Sequence, residues 1–359
     1  MTTKLIRTNV KSEENINHIY WFSYFNNSEQ SVRYRAIYPL QFIKEKYGVN
    51  FSFIFPDYKL KNIFRFISTY FEILFFRKKN SVVVFQKIYS EGLYANMLKL
   101  LLFFRREKTI YDIDDAEYLR LPPETIHYFM KNCSGCFVGS SALTEYISLH
   151  FKNTSSILTS PVIHHNEIKE IKNEILTIGW IGYYESHFDS LSQLFFPAIR
   201  NIDFKINLVI LGLRFSEDEE ILRNYFLKNK NVTIEIPKNI DWLDEKSVYE
   251  RIKILDVGIA PLNDTRFNQA KSAFKLKQYL SCGVPVLASA VGENKRFIKH
   301  GMNGFICNSS EEFYKKLKVF NEMSKEEYSI ISNAARLSLN QFVIDRYCAD
   351  FITVTSRFL

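Results

Sequence analysis

Cysteine is sparse in this sequence, and long apolar runs are missing. Cys133, Cys136, Cys282, Cys307 and Cys348 are the five cysteines in 359 residues. An odd, scattered set builds no disulfide framework and points to a reducing compartment. Cys133-Ser-Gly-Cys136 forms a CxxC pair. A structural zinc site needs two further ligands at suitable spacing, and none stands near. A redox pair would open a helix after a strand, whereas this one sits towards the end of a helical stretch. No window reaches the ~20 apolar residues of a membrane-spanning helix. Residues 1–15 carry no apolar signal core. The protein is therefore expected in the cytoplasm, or at the inner face of the plasma membrane where a surface segment holds it there. Signatures that would name a chemistry outright are also absent. There is no G-x-x-x-x-G-K-[ST], no G-x-G-x-x-G at the glycine turns, no H-E-x-x-H and no G-x-S-x-G, so phosphate-loop, nicotinamide, zinc-protease and serine-hydrolase readings lose their support.

What is present is bulk, charge and aromatic surface. The length fits two domains of roughly 150–180 residues each. Hydrophobic residues are 47% of the chain, enough for a full core in each half. The formal net charge is +8, which favours anionic partners. A Lys-, Asn- and Ile-rich composition also follows from AT-rich coding. No nucleic-acid motif accompanies the charge, so nucleic acid is not expected as a partner. With 32 Phe and 21 Tyr, part of the aromatic load is expected on a surface that is not purely aqueous.

Along the chain, short β-rich runs alternate with helical ones. Strands are expected at 16–22, 50–55, 81–85, 109–113, 136–139 and 156–158, then at 176–180, 206–211, 232–235, 257–260, 285–288 and 305–306. Helices are expected at 31–47, 91–104, 141–151, 187–201, 218–228, 247–254 and 274–282, with two more in 325–359. Such alternation predicts parallel sheets, here two doubly wound α/β domains facing a cleft. The division reads as 1–165 for the first domain, 166–335 for the second, and 336–359 as a terminal helix returning to the first. Residues 159–173 read as the linker, with His164 and His165 as plain linker residues. Residues 59–79 are bulky and apolar with basic ends. They fit an amphipathic helix on an anionic membrane surface, or a helix packed on the sheet with its charges in water.

Three places suggest chemistry. Lys271 and Lys275 flank the start of the helix at 274–282, where free backbone N–H groups and the helix dipole suit a diphosphate. Gln278 lies one turn on, on the same face, within reach of a ribose or sugar hydroxyl. Asp112, Asp114 and Asp115 follow the strand at 109–113, at the carboxyl edge where α/β sheets bind ligands. Asp114 and Asp115 read equally as caps of the next segment. Arg33 and Arg35, in the first helix, read as solvated charge or as contacts to an anionic acceptor.

Residues 256–305 resemble the donor-binding segment of GT-B glycosyltransferases, specifically the retaining glycosyltransferase family 4. The order is a strand ending in Ala260-Pro261-Leu262, a loop, a helix ending in Cys282-Gly-Val-Pro-Val, a Val291-Gly292 turn, then His300-Gly-Met-Asn-Gly-Phe305. Residues 178–191, 111–116 and 31–40 resemble the family more loosely. The resemblance implies transfer of a sugar from a nucleotide-sugar to a glycan or lipid-linked glycan acceptor in bacterial surface polysaccharide synthesis. It implies no cofactor and no essential metal. It places donor contacts at Gly182, Lys271, Lys275, Gln278, Gly292 and Asn294, and sets Asp114 and Asp115 where the family carries a catalytic His-Asp pair. Arg33 and Arg35 would then stand on the acceptor side. The family's Glu-x7-Glu acids fall on Ala270 and Gln278, its basic pair is missing from residues 182–187, and its Gly-Gly turn is reduced to Gly292-Glu293. A non-catalytic relative that binds a nucleotide-sugar or acts as a scaffold is the alternative.

Overall fold

The computed structural model describes residues 16–163, 169 and 171–357. His164 and His165 lie outside them. The described residues form two parallel six-stranded sheets. The first contains β1 (His18–Ser23), β2 (Asn50–Ile54), β3 (Ser81–Gln86), β4 (Thr109–Ile113), β5 (Gly135–Val138) and β6 (Ser155–Ile157), in the order β2-β1-β3-β4-β5-β6. The second contains β7 (Leu176–Ile181), β8 (Ile206–Leu211), β9 (Val232–Glu235), β10 (Val257–Ala260), β11 (Val286–Ala288) and β12 (Gly304–Ile306), in the order β12-β11-β10-β7-β8-β9. Both are doubly wound. Their switch points lie between β1 and β3, and between β7 and β10, where such sheets leave a crevice at the strands' carboxyl ends.

The strands are buried on both faces, which is why they read as apolar runs. Along β1, Ile19 and Trp21 enter one core layer while Tyr20 and Phe22 enter the opposite one, the period-two alternation of a strand. The terminal helix Ile344–Ser356 packs on the first sheet. Its Phe351 stacks on Trp21 at 6.0 Å between centroids and meets Phe137 at 5.3 Å. Burying that one ring contributes roughly 2–3 kcal/mol.

Two expected helices are interrupted. The helix expected at 31–47 runs as Gln30–Val32, a π-turn at Arg33–Ile37, then Tyr38–Tyr47. The cause is Pro39, which has no N–H to give the Arg35 carbonyl four residues back. The Tyr347 hydroxyl donates to that carbonyl instead, at 3.1 Å. The helix expected at 187–201 repeats the device. A π-turn at Leu191–Phe195 precedes Pro197, and Ser310 Oγ donates to the freed Gln193 carbonyl at 3.3 Å. Helices Glu124–Asn132 and Ser310–Glu322 were not expected as separate elements.

Candidate active site

The carboxyl ends of the switch-point strands converge on a cavity of about 210 Å³ between the two sheets. The first sheet contributes Glu29, Gln30 and Ser31 beyond β1, Lys87 beyond β3, and Asp114 and Asp115 beyond β4. The second contributes Trp180 and Gly182 at the end of β7, Pro261 and Leu262 beyond β10, and the first turn of the helix Phe274–Ser281.

On the second-domain wall the charges are cationic. Lys275 Nζ lies 2.6 Å from His187 Nε2 and 5.0 Å from the centre of the Trp180 ring. Burial pushes the Lys275 pKa well below its ordinary value, and neighbouring Lys271 pushes it the same way. His187 is held neutral by burial and by the facing Lys275. Gly182 makes the arrangement possible: with φ +144, a Cβ there would stand 2.4 Å from Lys275 Cε. Lys271 lies over the Phe267 ring at 4.8 Å, with its Nζ 4.0 Å from Asp115 Oδ1 across the cleft. Ahead of the helix, Ala273 takes a left-handed conformation at φ +54, a strained geometry for a non-glycine residue. It precedes the helix whose first turn, at Phe274, Lys275 and Leu276, lines the cavity and carries amides without intrahelical partners.

The first-domain wall is acidic, with one embedded cation. Lys87 Nζ pairs with Asp114 Oδ1 at 2.6 Å and donates to Ser31 Oγ at 3.1 Å. Burial opposes both charges of this pair. The mutual attraction outweighs it, raising the Lys87 pKa and lowering that of Asp114. Lys87 also has a left-handed backbone, at φ +53.

Gln278 is buried, meets Lys275 at a second, adjoining cavity, and is hydrogen-bonded to the Tyr34 hydroxyl. Asn294 lines the main cavity, its Nδ2 donating to Ser289 O at 3.1 Å. Gly292 packs under the Asn268 and Lys271 carbonyls and receives Gln269 Oε1 on its N–H at 3.1 Å, behind the cavity wall.

Arg35 does not reach the cleft. It is fully buried, clasping Asp112 with Nε at 2.9 Å and with Nη2, and donating from Nη1 to Leu158 O at 2.6 Å. The charge thus has a structural partner on β4, which explains why two arginines two residues apart face different ways. Arg33 stands at the domain junction, donating to Trp242 O of the second domain at 2.8 Å.

Sequence reasoning missed Lys87, His187 and Glu293. Lys87 directly follows a strand's carboxyl end, the position that would have flagged it. Glu293 is buried and accepts from Ser141 N at 2.8 Å and Ser141 Oγ at 2.7 Å, so a carboxylate of the second domain sits at the start of a first-domain helix. No sequence pattern marks that contact. Among the described residues, no cluster of three or more His, Cys, Asp or Glu side chains could hold a metal ion.

Two doubly wound domains with opposed charge across their cleft define a GT-B architecture. Residues 172–320 match the family model "Glycosyl transferases group 1", and the two sheets together have the GT-B fold. No curated protein matches the chain by sequence. Among solved structures, a glycosyltransferase from Rickettsia africae aligns at TM-score 0.66 and 13% identity, over 96% of this chain and 99% of that one. Anabaena HepE in complex with UDP aligns at 0.63 and 11%, over 95% and 100% of the two chains. Sucrose-phosphate synthase from Thermosynechococcus elongatus aligns at 0.66 and 11%, over 95% and 98%. These likenesses are likenesses of fold.

Proposed function

We propose that the protein moves a sugar from a nucleotide-sugar to an acceptor hydroxyl, with retention of configuration. The observation that carries this reading is the charge division of one cavity: Lys271, Lys275 and first-turn amides on one wall, Asp114 and Asp115 on the other. The cationic wall suits a diphosphate. The carboxylates suit the hydroxyls of a sugar and an acceptor. HepE, one of the structural neighbours, is described in complexes with UDP and with UDP-glucose.

In the proposed step the acceptor oxygen bonds to the anomeric carbon while that carbon's bond to the diphosphate oxygen breaks. The electron pair leaves on the diphosphate, and the acceptor proton passes to the departing phosphate oxygen on the same face. No cofactor enters the balance. The lysines and amides take up the developing charge, which makes a divalent metal unnecessary in this reading. In it, residues 1–165 carry the acceptor and residues 166–335 the donor.

The acceptor we propose is a lipid-linked bacterial surface glycan, met at the inner face of the plasma membrane. The helix Leu60–Phe76 supports this. Its Leu60, Phe64, Ile67, Phe71 and Phe75 form one exposed face, continued by Leu100 and Phe104 of the neighbouring helix Leu93–Phe104. Lys59, Lys61, Arg65, Lys78 and Lys79 lie within or beside this helix in sequence, a pattern that fits an anionic lipid surface. No helix among the described residues is long and apolar enough to cross a membrane.

Gln278 and Ala270, in place of the family's acids, favour one second reading: a nucleotide-sugar-binding scaffold without turnover. A thermal-shift panel of UDP-, GDP-, ADP- and CMP-sugars tests the donor site common to both readings. One nucleotide class is expected to raise the melting temperature in proportion to the logarithm of its concentration. No response to any of the four contradicts the donor reading.

A further inference from the structure

Among the described residues, three carboxylates line the main cavity: Glu29, Asp114 and Asp115. Two of them have cationic partners. Asp114 is paired with Lys87 at 2.6 Å, with only 10% of its side chain exposed. Asp115 faces Lys271 Nζ at 4.0 Å across the cleft. Lys87 is engaged in turn by Asp114 and by the Ser31 hydroxyl. Glu29 is the third, and its side chain forms no hydrogen bond or ion pair with another described residue.

Local structure gives that carboxylate no task of its own. Glu29 precedes the short helix Gln30–Val32 with extended backbone, at φ −77 and ψ 130. An acidic side chain at a helix start commonly caps the first amides, yet this one makes no capping bond. The main chain is engaged instead: Glu29 N donates to Asn26 O at 3.3 Å, and Glu29 O accepts from Val32 N at 3.1 Å and Arg33 N at 3.2 Å. The residue is thus held at its backbone, and its half-buried head group is open to a ligand. It lies beyond the carboxyl end of β1, at the first sheet's switch point. Its charge acts on Lys87 in its own domain and on the Tyr183 hydroxyl beyond β7 in the other. The carboxylate therefore stands where the two domains meet, in the cavity that Gly182 and Lys275 also line.

We propose that Glu29 is an acceptor-binding residue and that the sugar it holds is neutral or carries an amino group. This rests on the transfer reading above, in which Lys271 and Lys275 take the diphosphate and the acceptor enters from the first-domain side. The Glu29 carboxylate accepts a hydrogen bond from a hydroxyl or ammonium group beside the reacting hydroxyl. The reacting proton still passes to the departing phosphate oxygen, so Glu29 orients the acceptor and does not take its proton. The charge of the wall sets the class of sugar. Three carboxylates stand there against one embedded lysine, so a carboxylate or phosphate group next to the reacting hydroxyl is repelled and left unpaired. A uronic acid or phosphorylated sugar is thereby excluded at that position, whereas charge further along the acceptor is unaffected.

Transfer and donor binding are measured separately in Glu29→Ala and Glu29→Gln. Transfer is read as nucleotide release from UDP-, GDP-, ADP- and CMP-sugars at limiting bacterial membrane extract, and donor binding as calorimetric titration with UDP, GDP, ADP and CMP. Glu29→Ala is expected to lower transfer at least about tenfold, the scale of one hydrogen bond to a charged group. Glu29→Gln loses less, because its amide oxygen still accepts. Nucleotide affinity stays within about twofold in both variants, which also shows that they are folded. Unchanged or faster transfer by Glu29→Ala overturns the inference, faster transfer being the sign of an anionic acceptor released from repulsion. A parallel loss of nucleotide affinity overturns it as well, since Glu29 would then act on the donor. If the unaltered protein turns over no sugar of the panel, the transfer reading falls first and the inference with it.

Discussion

Lys275 sits where its own charge is disfavoured. It is surrounded by protein and has Lys271 as a near neighbour, both of which lower its pKa against an opposing pull from Asp115. A bound diphosphate supplies the missing counter-charge and raises that pKa again. Donor binding therefore takes up a proton between the lysine's pKa in the empty cleft and its higher pKa in the complex, and affinity falls as pH rises through that window. Calorimetry of a nucleoside diphosphate near pH 8, in two buffers of different ionisation enthalpy, is expected to show net proton uptake. Equal apparent enthalpies in both buffers contradict it. Arg35 is the opposite case, a buried charge fully matched. Truncating it strands the Asp112 carboxylate, whose side chain is 0% exposed, so Arg35→Ala is expected to cost about 3–5 kcal/mol in denaturant unfolding. A loss below about 1 kcal/mol would show that the pair is not held as described. At this scale the sequence was partly legible. Helical spacing puts Lys275 and Gln278 on one face, and the structure has both lining one cavity. Arg35 was misplaced because nothing in its neighbours announces a partner 77 residues away. His187 was passed over because its role depends on a lysine 88 residues on.

The elements were legible where the pattern is long and regular. Every strand was located to within two residues, since each is a short apolar run between turns. The two π-turns were not foreseen, although Pro39 and Pro197 are their visible cause. What the sequence does not show is that distant Tyr347 and Ser310 occupy the carbonyls those prolines free, and those partners let the chain continue as helix instead of stopping. The helix Leu60–Phe76 is the element whose reading matters most for function. Its exposed Phe64 and Phe71 contribute little to the core, being 68% and 51% exposed. The double change Phe64→Ser and Phe71→Ser is expected to leave the melting temperature nearly unchanged while sharply lowering co-sedimentation with vesicles rich in anionic lipid. Retained vesicle binding at low salt contradicts the membrane proposal; a collapsed melting temperature contradicts the exposed placement.

For the whole molecule, the alternation of strand and helix was enough to read two doubly wound sheets and a cleft. It was not enough to read how the halves are joined. Lys277 is fully buried on the helix Phe274–Ser281 and donates to Thr159 Oγ1 at 2.5 Å and Ser160 O at 2.7 Å, at the end of the first domain. Arg120 lies 3.4 Å over the Phe267 ring, and Glu293 caps the helix at Ser141. Each contact joins residues more than a hundred positions apart, a separation at which no local pattern operates. Together they set the cationic wall of one domain against the acidic wall of the other, and the proposed chemistry depends on that opposition. The most direct measurement is release of nucleoside diphosphate from a panel of nucleotide-sugars incubated with bacterial membrane extract and EDTA, comparing the unaltered protein with Lys275→Ala. The account expects turnover of one nucleotide-sugar by the unaltered protein and a loss of about a hundredfold or more in the variant, with its melting temperature preserved. Undiminished turnover by Lys275→Ala, or donor binding without any turnover by the unaltered protein, would contradict it.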